Sequence, residues 1–130
     1  MKVLLDTCAI LWTVAAPERL STQARAVLSE PETEVFVLAI SAAEIACASE
    51  RGRIALDRHP KAWFRHYVQR NQWDCLPIDL AIVEEAYSLP APFHADPVDR
   101  LMVAAARLRG LGVVTGDQKL LEYPHVEKVW

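Results

Sequence analysis

MKVLLDTCAILWTVA (1–15) decides the fold class. Its first part, KVLLD, is a short, mostly apolar run and reads as a buried strand. Its second part, TCAILWTVA (7–15), shows helical spacing, and Pro17 ends it. The same alternation recurs down the chain. Ser21 is the expected N-cap of a second helix, STQARAVLSE, which Pro31 breaks. EVFVLAI (34–40) is β-branched and aromatic and forms the second strand. Ser41 opens a third helix that runs to about Arg51, and Gly52 closes it. After His59-Pro60, KAWFRHYVQR forms an amphipathic helix with Trp63, Tyr67 and Phe64 inward. WDCLPI (73–78) is the third strand, and Asp79 caps LAIVEEAYSL. A proline-rich loop, PAPFHADP, leads into a helix over 97–109 that Gly110 and Gly112 terminate. VVT (113–115) is the fourth strand, Asp117 opens a short helix, and VEKVW (126–130) is the fifth strand. Apolar strands with helices between them imply an α/β fold with a parallel sheet covered on both faces.

The bulk numbers are compatible with this reading. The 130 residues fit one domain, 1–130, and a 52% hydrophobic composition is ample for a core. No apolar stretch approaches the roughly 20 residues of a membrane span. The N-terminus enters a strand directly, without the pattern of a secretory signal. Cys8, Cys47 and Cys75 are odd in number and widely spaced, which disfavours a thiolate zinc site and suits a cytoplasmic, reducing setting. They are expected to be small, mostly buried hydrophobes. The formal net charge of -3 argues against a coat for nucleic acid, yet residues 51–70 carry +5 and the remainder -8.

Four acids fall just past strands or at helix heads: Asp6, Glu44, Asp99 and Asp117. In an alternating strand–helix chain these places share one edge of the sheet, where open α/β folds bind ligands. Each acid alone has a capping explanation. Asp6 and Asp117 stand before helices, Ser41 and Glu44 match a capping box, and Asp96 precedes Pro97 with Asp99 in the first turn. Capping does not explain why four segments all send a carboxylate to one edge. Like charges about 4 Å apart repel by roughly 4 kcal/mol at an effective dielectric of about 20, so the set calls for a countercharge. Oxygen-only ligands favour Mg²⁺ or Mn²⁺. Such an ion suits hydrolysis of a phosphodiester. No GxxxxGK[ST] supports a nucleotide hydrolase, no GxGxxG follows the first strand, and neither Ser41 nor Cys8 has a convincing histidine partner.

VLLDTCAILW, ISAAEIA, HADPVDRLMVAAA and GVVTGDQKLL, in this order and spacing, resemble a PIN-domain ribonuclease of the VapC type, the toxin of type II toxin–antitoxin systems. The resemblance spans residues 2 to about 123. It implies a PIN-like three-layer fold, with a five-stranded parallel sheet between helices. It implies a Mg²⁺- or Mn²⁺-dependent endoribonuclease, a cognate antitoxin protein as partner, RNA as substrate, and a homodimer. By position it makes Asp6, Glu44, Asp99 and Asp117 the catalytic, metal-holding acids, with Asp96 as an outer acid and Thr7, Ser41 and Thr115 as supporting hydroxyls. Cys8, Ala43 and Ala48 stand where relatives often have His, Trp and Lys, which bears on substrate grip rather than on the acids. A non-catalytic RNA-binding module, with the acids as caps only, is the alternative. A DNA-flap nuclease or phosphatase is a further one, disfavoured by the short chain.

Three other features have two readings each. His94 could bond a phosphate or lie on the loop surface. Arg100 could reach a phosphate or pair with Asp96 or Glu44. The aromatics among the charges of 51–70 could stack on RNA, but at helical spacing the core is the commoner place.

Overall fold

The computed structural model describes residues 1–130. Its five strands are β1 (Lys2–Leu5), β2 (Glu34–Leu38), β3 (Asp74–Leu76), β4 (Gly112–Val114) and β5 (Lys128–Val129). Its seven α-helices are α1 (Thr7–Ala15), α2 (Thr22–Ser29), α3 (Ile40–Glu50), α4 (Pro60–Arg70), α5 (Leu80–Ala86), α6 (Pro97–Arg109) and α7 (Gln118–Glu122). A single 3₁₀ turn, Pro17–Arg19, joins α1 to α2. The element order is the one expected from the sequence.

The strands form one parallel sheet in the order β3-β2-β1-β4-β5. The chain steps outward from β1 through β2 to β3, then returns to the other side of β1 for β4. The direction of winding therefore reverses between β1 and β4. Right-handed crossovers then put the two sets of helices on opposite faces, and the packing agrees. Val3 and Leu5 of β1, with Val37 and Val114, bury against Ile10 of α1, Ala24 of α2, Ile45 of α3 and Trp63 of α4. Leu4 of the same strand, with Leu38 and Val113, buries against Ile82 of α5 and Met102 and Ala105 of α6. Neighbouring residues of β1 thus feed opposite layers, as the two-residue period of a strand requires.

The local signals for helix ends mostly hold. Ser21 accepts a hydrogen bond from the Ala24 N–H at 3.0 Å, and Asp79 accepts one from the Ile82 N–H at 3.0 Å. Gly110 closes α6 at φ 66°, a left-handed conformation that costs glycine nothing.

Several boundaries differ from expectation. The second strand stops at Leu38 rather than Ile40, because Ala39 already has helical dihedrals. Ser41 therefore lies inside α3, and no Ser41–Glu44 capping box forms. The third strand is trimmed to Asp74–Leu76, where Pro77 lacks the N–H that would continue a ladder. The fifth strand keeps only Lys128–Val129, the pair matched to Val113 and Val114. Gly112 belongs to β4 rather than to the helix stop. All three cysteines are exposed, against the expectation of burial. Cys75 lies on β3, an edge strand, in a groove that α3 and α4 leave open. No helix is long and apolar enough to cross a membrane.

The aromatics of 60–73 resolve toward the core. Trp63 and Trp73 are buried, and Phe64 and Tyr67 pack half-buried against the same cluster.

Candidate active site

The reversal of winding between β1 and β4 leaves a crevice at the carboxyl ends of the strands, the standard ligand position in open α/β sheets. Asp6 stands at this point. Its backbone N–H donates to the Val114 carbonyl at 3.1 Å, so it holds the last rung between β1 and β4. Asp6, Glu44, Asp96, Asp99 and Asp117 all line one cavity of about 300 Å³, together with Thr7, Cys8 and Gly116. Five carboxylates from four segments thus meet in one place, and no lysine or arginine lines it.

Each acid is held by its own local donors. The Asp6 carboxylate accepts from the Ala9 N–H at 2.7 Å, capping α1, and from the Thr115 hydroxyl. Thr115 is fully buried, and its oxygen also accepts from the Asp117 N–H at 3.0 Å. One hydroxyl therefore ties together the acids after β1 and β4, using its donor and one of its lone pairs. Asp117 in turn caps α7, accepting from the Lys119 N–H at 2.9 Å.

On the α3 side, the Thr7 hydroxyl donates to Glu44 and lies 2.9 Å from the Ser41 hydroxyl. With its only proton given to Glu44, Thr7 must accept from Ser41. Ser41 and Glu44 therefore act across to α1 and not on their own helix end. On α6, Asp96 caps the helix by accepting from Val98 and Asp99 N–H groups at 2.9 and 3.2 Å. Asp99 faces the crevice and is bonded to His94, with Oδ2 2.6 Å from Nε2.

The electrostatics are those of a crowded anionic site. Burial raises the Asp6 carboxyl to about 6, helped by the charges of Asp99 and Asp117 and opposed by its bonds to Thr115 and Ala9. Glu44 and Asp99 are also raised, in each case chiefly by burial, with further push from neighbouring carboxylates. A partly buried pocket of like charges stores free energy that an oxygen-loving cation would release.

The donor set fits such an ion. Every candidate ligand is a carboxylate oxygen, which selects Mg²⁺ or Mn²⁺ over softer metals. No three of these side chains converge closely enough to form a cage by themselves.

Two sequence-based readings are corrected here. Arg100 neither reaches the crevice nor pairs with Asp96 or Glu44. Its guanidinium donates to the Ala86 carbonyl at 3.1 Å and stands 5.3 Å from the ring centres of both Tyr87 and Phe93. Its neighbour Asp99 points inward, so Arg100 points toward α5. Arg100→Ala is therefore expected to cost about 1–2 kcal/mol of stability through the lost charged hydrogen bond and ring contacts, measured by urea unfolding. His94 is not free loop surface, since Asp99 takes its Nε2. Sequence spacing gives no direct sign of that bond.

The geometry agrees with what the chain resembles among known proteins. A family model described as PIN domain matches residues 3–126. Ribonuclease VapC22 of Mycobacterium tuberculosis (strain ATCC 25618 / H37Rv) is 33% identical over 127 residues, covering 98% of this chain and 95% of that protein. Among solved structures, VapBC2 from Rickettsia felis bound to a promoter DNA fragment superposes with a TM-score of 0.64 at 10% identity, covering 98% and 97% of the two chains. A toxin–antitoxin complex from Klebsiella pneumoniae gives 0.61 at 18% identity, covering 95% and 94%. These two likenesses speak to the fold alone. With a sheet order, an acidic crevice at the winding reversal and a family match over nearly its whole length, the chain belongs to the PIN domain family.

Proposed function

We propose that this chain is a metal-dependent endoribonuclease of the VapC type, the toxin of a type II pair, working as a single domain over residues 1–130. The observation that carries the reading is the crevice itself: five carboxylates beyond the strand ends and no lysine or arginine among them. The 33% identity to a protein named as a ribonuclease supports RNA as substrate.

In this reading Asp6, Glu44, Asp99 and Asp117 hold Mg²⁺ or Mn²⁺, with Asp96 at the outer rim. The ion supplies charge neutralisation at the phosphodiester and makes attacking water more acidic. The chain's own residues fix the ligands. Thr115 aims Asp6 and anchors the backbone before α7. Thr7 and Ser41 aim Glu44, and His94 aims Asp99. Such supporting bonds hold ligating carboxylates in place before substrate arrives.

A cognate antitoxin is the proposed partner. A groove of about 740 Å³ between α3 and α4, floored by Phe64 and Val68 and edged by Lys61 and Arg65, suits an amphipathic segment carrying acidic groups. Homodimerisation and a cytoplasmic location belong to the same proposal.

The test is cleavage of RNA by the purified chain. Activity is expected with Mg²⁺ or Mn²⁺ and none in EDTA. Cleavage that continues undiminished in EDTA would defeat the metal-dependent reading. Mg²⁺ at about ten times its dissociation constant should also raise Tm by about 5 °C, through roughly 1.4 kcal/mol of linkage. Differential scanning calorimetry with and without EDTA measures this.

The non-catalytic alternative draws support from the caps that Asp6, Asp96 and Asp117 do form. It leaves Glu44 unexplained, since Glu44 caps nothing. It would show RNA binding with a salt slope and no turnover.

A further inference from the structure

The loop between α5 and α6 carries His94, the residue bonded to Asp99, and little in its backbone holds it there. Residues 89–95 take part in no backbone-to-backbone hydrogen bond. Two side-chain bonds tie the stretch to the rest of the molecule. The Tyr123 hydroxyl donates to the Pro90 carbonyl at 2.8 Å, and His94 Nε2 lies 2.6 Å from Asp99 Oδ2. Fixing each residue of such a segment costs conformational entropy, so side-chain packing must supply the order.

Phe93 supplies that packing. Its ring stacks on His94, with centres 4.5 Å apart and planes at 21°. It meets Tyr123 edge-on at 4.7 Å, and the Arg100 guanidinium stands 5.3 Å from its centre. Tyr123 is 4% exposed and forms one small cluster with Val103 of α6 and Leu120 of α7, onto which Phe93 packs. Asp99 lies on α6, and Asp117 caps α7. One ring therefore locks the loop onto the two helices that place crevice acids, and its stacked face fixes the plane of the His94 imidazole. The consequence falls on Asp99. His94 takes its Oδ2 and leaves Oδ1 for the crevice.

We propose that Phe93 is a positioning residue for the crevice. Wedged between Tyr123, Arg100 and His94, it holds the imidazole against Asp99 and so keeps that carboxylate set for a divalent cation. The proposal rests on the metal-dependent reading above and deepens it. Partners that orient a ligating group contribute to metal affinity without touching the ion, and Phe93 stands one contact further out.

The test measures Mn²⁺ binding to the metal-free chain, without RNA, from the electron paramagnetic resonance signal of the free ion. His94→Ala is expected to weaken binding about tenfold, as loss of a ligand's supporting partner does. Phe93→Leu keeps apolar bulk, loses the stack, and is expected to weaken binding about fivefold. Phe93→Tyr keeps the ring and should bind within about twofold of the native chain. Tyr123→Phe keeps every ring, loses only the Pro90 bond, and should weaken binding about threefold. Added to His94→Ala, Phe93→Leu should cost less than about twofold more, because both changes break one chain of contacts. Phe36→Leu on β2 removes the same ring from the layer shared with α6 and, as an independent site, should change affinity less than about twofold. Thermal unfolding confirms that each variant is folded at the assay temperature. Unchanged Mn²⁺ affinity in both Phe93→Leu and Tyr123→Phe overturns the proposal. So does a Phe93→Leu loss that persists in full beside His94→Ala, or an equal loss in Phe36→Leu. Failure of the native chain to cleave RNA, with these losses intact, removes the ribonuclease reading and leaves the positioning role. Metal-dependent cleavage with unchanged affinities does the reverse, and a native chain that binds no Mn²⁺ removes both.

Discussion

Asp6→Asn is expected to lower RNA cleavage by at least about 100-fold and, in the absence of metal, to make the protein more stable. The two effects have one cause. Asp6 sits at the winding reversal, 9% exposed and facing Asp99 and Asp117. A metal-holding carboxylate in that place contributes several kcal/mol of charge stabilisation, and each 1.36 kcal/mol is about a factor of ten in rate. Without a cation, the same carboxylate is a cost. Its folded pKa is about 6, against the ordinary 3.8. Between those values the native state keeps a proton that the unfolded chain has lost. Metal-free stability therefore falls as pH rises through this window, and the whole cost is present above pH 6. Asparagine caps a helix about as well as aspartate, so the bond from Ala9 survives. The gain at pH 7.5 in EDTA should be about 2 kcal/mol, and it should vanish below about pH 4, where both states of the native protein are protonated. Urea unfolding from pH 4 to 8 measures it. A variant less stable than the native chain at pH 7.5 would show that Asp6 serves the fold rather than the crevice.

Trp63→Ala is expected to cost about 3–5 kcal/mol, the range for removing a large buried aromatic. Trp63 is 3% exposed and joins α4 to the layer that holds Val3, Leu5, Val37 and Ile45. Its ring also meets Tyr67 at 4.9 Å. A loss of this size is a large part of the stability of a small domain. The measurement is the midpoint of denaturant unfolding. It bears on function because Trp63 lies within the basic segment, where an aromatic could instead stack on RNA. A loss below about 1 kcal/mol, with weakened RNA binding, would mean that the side chain works at the surface.

The sequence came close to the whole order of elements. Strand-to-helix switches such as KVLLD–TCAILWTVA carry two periods that physics separates cleanly. Caps at Ser21, Asp79 and Asp96 and the stop at Gly110 mark ends by local hydrogen bonding and dihedral freedom. Strand lengths were less legible. EVFVLAI holds four strong strand-formers, Val35, Phe36, Val37 and Ile40, but its ladder ends where Ala39 turns helical. The exposure of the cysteines is likewise not legible in the sequence, because it depends on which sheet edge and helix faces remain uncovered.

For the crevice, the sequence alone determined which acids stand after strands or at helix heads, since those positions follow from local periodicity and caps. Only the tertiary structure decided what those acids touch. Ser41 and Glu44 look like a local capping box and instead reach Thr7, 34 and 37 residues away. Arg100 turns to Ala86, and His94 claims Asp99. The reason is physical. A local hydrogen bond competes only with its immediate neighbours, and those neighbours can be read from the chain. A bond across the crevice depends on how the sheet winds and which helix packs beside it, and that is settled by burial of the whole core.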